Sequence, residues 1–250
     1  MKRTLIFFEI LCMIFFLLFS SVYRRTQFLT SLAGPGMLSL VKQASAKATA
    51  SEDFSTDTTA GLPVEEPPRI ALTFDDGPSP LYTERLLDGL KERGVVATFF
   101  VTGENAQSCP DLIRREKADG HLIGNHSYHH VQLNKLSIEE ATGEIEKTNR
   151  LIREWTGEAP VYIRPPYGAW SQELEKVVDM IPVFWNVDSL DWKLQNKEQV
   201  LSCLSGQVKE GDVILMHDGY QSSVDAAFAL VDQLQNQGFV FVNVEEMILE

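Results

Sequence analysis

The chain is short of positive charge, with 22 Lys and Arg against 35 Asp and Glu over 250 residues, a formal net charge of −13. No basic cluster supplies a phosphate-binding surface, so the sequence argues against nucleic acid as a partner. Cysteine is scarce. Cys12, Cys109 and Cys203 have neither zinc-ribbon spacing nor the density of a disulfide scaffold, and a Cys109–Cys203 bridge, though compatible with export, has nothing to support it. The Gly-x-Gly-x-x-Gly turn of a dinucleotide-binding sheet is missing, as is any short internal repeat.

With 44% hydrophobic and 23% charged residues, the chain can bury a sizeable core. Its N-terminus reads as a targeting element: Lys2 and Arg3 precede an apolar run from Leu5 to Phe19. No small-x-small cleavage site follows that run, and Tyr23-Arg24-Arg25 suits signal peptidase badly. Residues 1–25 are therefore expected to be a retained membrane anchor, with Glu9 near the cytoplasmic interface; late cleavage around Ala44-Ser45-Ala46 is the alternative. Residues 26–67 become rich in Ala, Ser, Thr, Glu and Pro without periodicity, which predicts a flexible linker. Such a tether reaches roughly 30 to 35 Å. Residues 68–250 are then a single catalytic domain.

Beyond Pro68, short apolar runs alternate with amphipathic stretches. Strands are expected at 69–74, 95–101, 121–125, 161–164, 183–187, 213–216 and 239–242. The clearest helix spans Ser137 to Trp155, opened by a Ser137–Glu140 capping box. Ser171, Asn196, and Ser222 or Ser223 are candidate N-caps, and Gly94, Gly120, Gly157, Gly211 and Gly238 each close a helix before the next strand. Seven strand-then-helix units predict an α/β fold, a closed or nearly closed barrel.

Polar residues collect just past the strand ends: Asp75 and Asp76, His126 and His130, Arg164 and Tyr167, Asp188 and Asp191, and His217. In a β/α barrel those ends converge on one face, where catalytic groups gather. Two imidazoles and one carboxylate suit a borderline divalent cation and leave positions open for water and substrate oxygen. Each residue alone has a plainer reading: Asp76 as a turn former, Arg164 as a surface ion pair, Asp191 as a helix cap, His217 as a buried, satisfied histidine.

The runs TFDDG at 73–77, HSYHH at 126–130, RPPYG at 164–168, DSLDW at 188–192 and LMH at 215–217 resemble the five ordered motifs of the polysaccharide deacetylases, carbohydrate esterase family 4, the nodulation-B homology domain. The resemblance spans residues 68–248. It implies a distorted (β/α)7 barrel, similar to a TIM barrel, that removes acetyl groups from N-acetylated polysaccharide with one divalent metal ion, zinc in first place, with cobalt, nickel or manganese as alternatives. It makes Asp76, His126 and His130 the metal ligands, and Asp75 the general base on the attacking water. Arg164 would hold Asp75, and the Tyr167 backbone N–H would stabilise the oxyanion. His217 would be the general acid, oriented by Asp191, while Leu215 would form the acetyl-methyl pocket and Trp192 would wall the sugar groove.

These expectations add up to an extracytoplasmic, monomeric, membrane-anchored deacetylase acting on peptidoglycan or chitin-like glycan. Two other readings compete with it: an O-acetyl esterase for xylan or wall polymers, and a glycan-binding barrel without chemistry. His129, His121 and Trp155 are expected to be structural. Trp170 and Trp185 can serve either packing or carbohydrate contact, and Asp188 is left between loop support and the arginine network.

Overall fold

The computed structural model describes residues 66–249. The anchor expected at 1–25, Cys12 and the expected linker up to residue 65 lie outside the described residues. Among the described residues, no helix is long and apolar enough to cross a membrane.

Eight parallel strands form one sheet: β1 (Arg69–Asp75), β2 (Thr98–Val101), β3 (Leu122–Asn125), β4 (Tyr162–Ile163), β5 (Ile181–Pro182), β6 (Val187–Asp188), β7 (Val213–His217) and β8 (Val240–Val242). Their order is β5-β4-β3-β2-β1-β7-β6, with β8 paired to β1. β1 is the hub. β7 runs along one edge of it, while β8 takes its first three residues and β2 its last three on the other. Nine helices among the described residues accompany the sheet: α1 (Thr83–Glu92), α2 (Gly103–Ser108), α3 (Pro110–Ala118), α4 (Ile138–Thr156), α5 (Gln172–Glu175), α6 (Asp191–Leu194), α7 (Lys197–Leu204), α8 (Gln221–Asn236) and α9 (Val244–Ile248).

The barrel-like parallel sheet expected from the alternation of elements is present, but its fifth strand is not where the apolar run 183–187 put it. Residues 183–186 of that run are the gap between β5 and β6, which end the sheet path on either side, and Val187 is the first residue of β6. The carbonyls of Val183 and Phe184 instead accept hydrogen bonds from Arg164, at 3.3 Å each, so a side chain replaces part of the missing ladder. Pairing survives at the two ends of the run, where the Val183 N–H donates to the Ile163 carbonyl at 2.8 Å and Val187 stands opposite Ile214 of β7.

The helix signals hold more closely. α4 carries the full capping box, with the Glu140 N–H donating to Ser137 Oγ at 3.2 Å and the Ser137 N–H donating to Glu140 Oε2 at 3.0 Å. Ser171 and Asn196 cap α5 and α7. All five glycines expected to close helices have positive φ, but Gly211 lies in a turn seven residues beyond the end of α7 at Leu204 and does not close it. Ser222 and Ser223 do not cap α8; they lie within its first turn, which starts one residue after Tyr220.

Strand alternation divides β1 between two environments. Ile70, Leu72 and Phe74 pack with Leu86, Leu87 and Leu90 of α1 and with Leu230 of α8, whereas Ala71 packs with Phe100, Tyr162 and Val183 inside the barrel. Thr73 and Asp75 share the face of Ala71. A side chain at Gly124 would collide with the Phe100 ring, so the glycine gives Phe100 its place in the interior. The Arg164 guanidinium lies over that ring, 4.3 Å from its centre. Gly124→Ala is expected to destabilise the domain by about 1–3 kcal/mol through overpacking, measured by urea unfolding; an unchanged midpoint would mean that Phe100 moves without cost.

Candidate metal centre and active site

A continued strand would send Asp76 to the face opposite Asp75. At φ 71° the chain turns instead, and both carboxylates reach the same rim. Asp76 Oδ1 lies 3.4 Å from His126 Nε2 and 3.3 Å from His130 Nε2, and Asp75 Oδ2 lies 3.7 Å from His126 Nε2. The glycine that follows has a steric reason: any side chain at Gly77 would strike the buried carboxyl of Asp218. Asp218 accepts a hydrogen bond from Thr83, and burial pushes its pKa up to about 6.

His126 directly follows β3, its N–H donating to the Val101 carbonyl of β2 at 2.9 Å, and is buried. Its Nδ1 sits 2.6 Å from the Arg164 carbonyl oxygen, which can only accept, so Nδ1 carries the proton and Nε2 is the free ligand atom. His130 stands 4.9 Å from the His126 ring and meets the Tyr167 ring edge-on at 4.7 Å. Burial lowers its pKa despite the nearby Asp76, which favours the neutral, ligating form.

Asp76, His126 and His130 form a cluster whose ligand atoms lie within 4.8 Å of one another. Its fit to a cation is supported by Asp76 Oδ1, a buried oxygen without a hydrogen-bond partner that faces two imidazole nitrogens. Burial alone would raise the Asp76 pKa, but the two histidines outweigh it and hold the group at about 2. Two nitrogens and one oxygen are a borderline donor set that accepts several divalent metals.

Behind Asp75, the fully buried Arg164 donates Nη1–H to Asp75 Oδ1 at 2.7 Å and to Thr73 Oγ1 at 2.6 Å. Facing them across the rim, His217 Nδ1 lies 2.8 Å from Asp191 Oδ1, and the His217 backbone N–H donates to Asp191 Oδ2 at 2.8 Å. Burial depresses the His217 imidazole, but the Asp191 hydrogen bond and charge, with the fields of Asp75 and Asp76, raise its pKa to about 9. With Nδ1 committed to Asp191, Nε2 is the nitrogen left for the cavity.

That cavity, of about 370 Å³, is lined by Asp75, Asp76, His126, His130 and His217, and walled by Tyr167, Trp185, Asp188, Trp192, Leu215 and Tyr220. The sequence-predicted site residues therefore meet at one rim, with Arg164 and Asp191 behind it as supports. Trp185 faces the cavity, whereas Trp170 packs beside Leu133 and Ile163. His121 is structural: its Nδ1 accepts from the Ala97 N–H at 3.1 Å and its ring meets Phe99 edge-on. Cys109 and Cys203 are free. Sequence reasoning missed Thr73, Glu144 and Tyr220. Thr73 lies two residues before Asp75 on the same strand face and was legible from alternation alone; Tyr220 lies three residues past His217 in a strand-end loop.

Fold and site together define a parallel α/β half-barrel with an Asp-His-His cluster at the C-terminal rim of its strands. The family model "Polysaccharide deacetylase" matches residues 64–183. The chain belongs to the polysaccharide deacetylase family. It is 40% identical over 178 residues to the peptidoglycan-N-acetylmuramic acid deacetylase PdaC of Bacillus subtilis, covering 71% of this chain and 38% of PdaC. It is 39% identical over 189 residues to a peptidoglycan-N-acetylglucosamine deacetylase of Bacillus cereus, covering 71% of this chain and 67% of the relative. The solved PdaC structure superposes with a TM-score of 0.71 at 40% identity, covering 72% of this chain and 90% of that one. The chain thus spans well under half the full length of PdaC.

The Asp191–His217 pair generates a direct expectation. Titration followed by imidazole NMR should place His217 near pH 9, and Asp191→Asn should lower that value by at least about one unit. A wild-type value near 6.5 would contradict this geometry.

Proposed function

We propose that this protein is a metal-dependent deacetylase that hydrolyses the acetamido groups of peptidoglycan, releasing acetate and leaving a free amine on the sugar. The observation that carries the reading is the meeting, in one cavity, of an Asp-His-His cluster able to hold a metal, a carboxylate held from behind and a protonatable histidine on the other side. Relatives named as peptidoglycan deacetylases support the substrate class.

Asp76, His126 and His130 would hold the metal, zinc by preference. A bound divalent cation supplies Lewis-acid polarisation of the acyl oxygen and a water acidic enough to react near neutral pH. Arg164 occupies Asp75 Oδ1, which leaves Oδ2, the oxygen nearer His126, to take the proton from the attacking water. As the water oxygen bonds to the acyl carbon, negative charge grows on the carbonyl oxygen, and the role of receiving it falls to the backbone N–H of Tyr167, a cavity-lining residue. The carbon–nitrogen bond then breaks, and His217 Nε2 gives its proton to the departing amine. Asp191 keeps that imidazole charged and aimed. Leu215, nearly buried at the cavity floor beside Asp188 in the sheet register, receives the acetyl methyl, and the half-exposed Trp192 offers a stacking face for the sugar ring.

Residues 1–25 are the anchor and 26–67 the tether that hold the domain, residues 68–250, outside the membrane beside its polymer substrate; the basic Lys2-Arg3 pair and the apolar run from Leu5 support this arrangement. Assay of the protein with zinc and peptidoglycan, scoring acetate and free amines, tests the function. No release from any N-acetylated glycan under varied metals would defeat it. Asp75→Asn should keep metal and lose turnover by about 10²–10⁴-fold, the usual worth of a general base, whereas His126→Ala should lose metal and activity together. Because the His217 pKa is raised, its acid form persists up to about pH 9; kcat/KM should therefore fall only as pH rises through that value, and Asp191→Asn should move the alkaline limb down. An alkaline limb that Asp191→Asn leaves in place would remove His217 from the acid role.

A further inference from the structure

Between the two proposed histidine ligands the chain is held in an unfavourable shape. Ser127 and His130 both have positive φ, 60° and 52°, though neither is glycine, and backbone of this kind costs of order 1–3 kcal/mol per residue unless its surroundings impose it. Asn125 Oδ1 accepts the Ser127 N–H at 2.7 Å, the Gly103 and Glu104 N–H groups of α2 donate to the Ser127 and Tyr128 carbonyls at 3.0 and 3.1 Å, and a further set of ties comes from one side chain, Glu144 on α4. Glu144 Oε2 accepts the N–H of Tyr128 at 3.1 Å and of His129 at 2.8 Å, while its Oε1 lies 2.7 Å from His129 Nδ1. A single carboxylate thus binds two successive backbone amides and the imidazole between the ligands. It does so from the second turn of a 19-residue helix whose start is fixed by the Ser137–Glu140 capping box.

We propose that Glu144, with His129 as its second grip, is a positioning residue for the metal: it clamps the 127–130 loop to α4 so that His130 Nε2 stays beside His126 Nε2 and Asp76. The proposal rests on the metal reading of that cluster. Without the clamp, the loop can relax its left-handed residues and carry His130 away, whereas His126 stays fixed by its own strand and by the Arg164 carbonyl. Partners standing behind metal ligands are typically worth 10–100-fold in affinity. Glu144 is not among the residues lining the cavity, so it acts on the site only through the loop.

Cobalt(II) titration of the full protein, with competition by a chelator and recording of the visible spectrum, separates the cases. Glu144→Ala should weaken cobalt binding by at least about tenfold and alter the spectrum, since one imidazole is displaced, while the melting temperature without metal falls less than binding does. Glu144→Gln, which keeps one oxygen acceptor for the loop amides, should fall between, and His129→Gln should show a smaller loss. If Glu144→Ala does not fold, Glu144→Gln and His129→Gln carry the test. Wild-type affinity and spectrum in the variants that fold would overturn the proposal. Failure of the wild-type protein to bind cobalt would instead overturn the metal reading beneath it.

Discussion

The buried guanidinium of Arg164 is the interaction on which the rest of the arrangement hangs. It sits where the barrel fails to close, donating to the carbonyls of Val183 and Phe184, which lie between the two ends of the sheet. The same group pairs with Asp75 and Thr73 on the central strand and lies over the Phe100 ring, and its backbone carbonyl sets the tautomer of His126. One residue therefore seals the seam, places the carboxylate proposed as base and orients a proposed ligand. A buried ion pair gains little over an apolar core, but removing one partner leaves an uncompensated charge and costs about 3–5 kcal/mol. Selection of such a pair makes sense where position matters more than stability.

Strain collects at the same rim. Of the six non-glycine residues with positive φ among those described, five lie in the strand-end motifs: Asp76, Ser127, His130, Tyr167 and Leu190. Each breaks the alternation or helical direction that its neighbours would otherwise follow, and each break brings a group onto the cavity. Asp75 and Asp76 show the logic most simply, since two adjacent carboxylates serve one site only because the second leaves strand geometry. The buried sheet and its helices hold these turns in place.

Much of this was legible beforehand, and the exceptions have physical causes. Strands β1 and β7, the α4 capping box, the Ser171 and Asn196 caps and the gathering of Asp75, Asp76, His126, His130 and His217 at one rim follow from periodicity, capping chemistry and strand-end placement. The run 183–187 read as one continuous strand, whereas only Val187 lies in one, because an apolar run says that residues are inside, not what pairs with their backbone. Ser222 and Ser223 resembled caps because composition does not fix where a helix begins within a turn. Glu144 was invisible because its partners lie 15 and 16 residues away across a loop whose shape no local pattern encodes. Trp170 and Trp185 look alike in sequence and divide only in space, one into an apolar cluster and one onto the cavity.

The central claim is that Asp76, His126 and His130 grip one cation at the open rim. X-ray absorption spectroscopy of the zinc-loaded protein tests it most directly. The account predicts two imidazole nitrogens at about 2.0–2.1 Å together with oxygen at about 2.0–2.2 Å and no sulfur. A shell of oxygen alone, or one containing a cysteine sulfur, would contradict it.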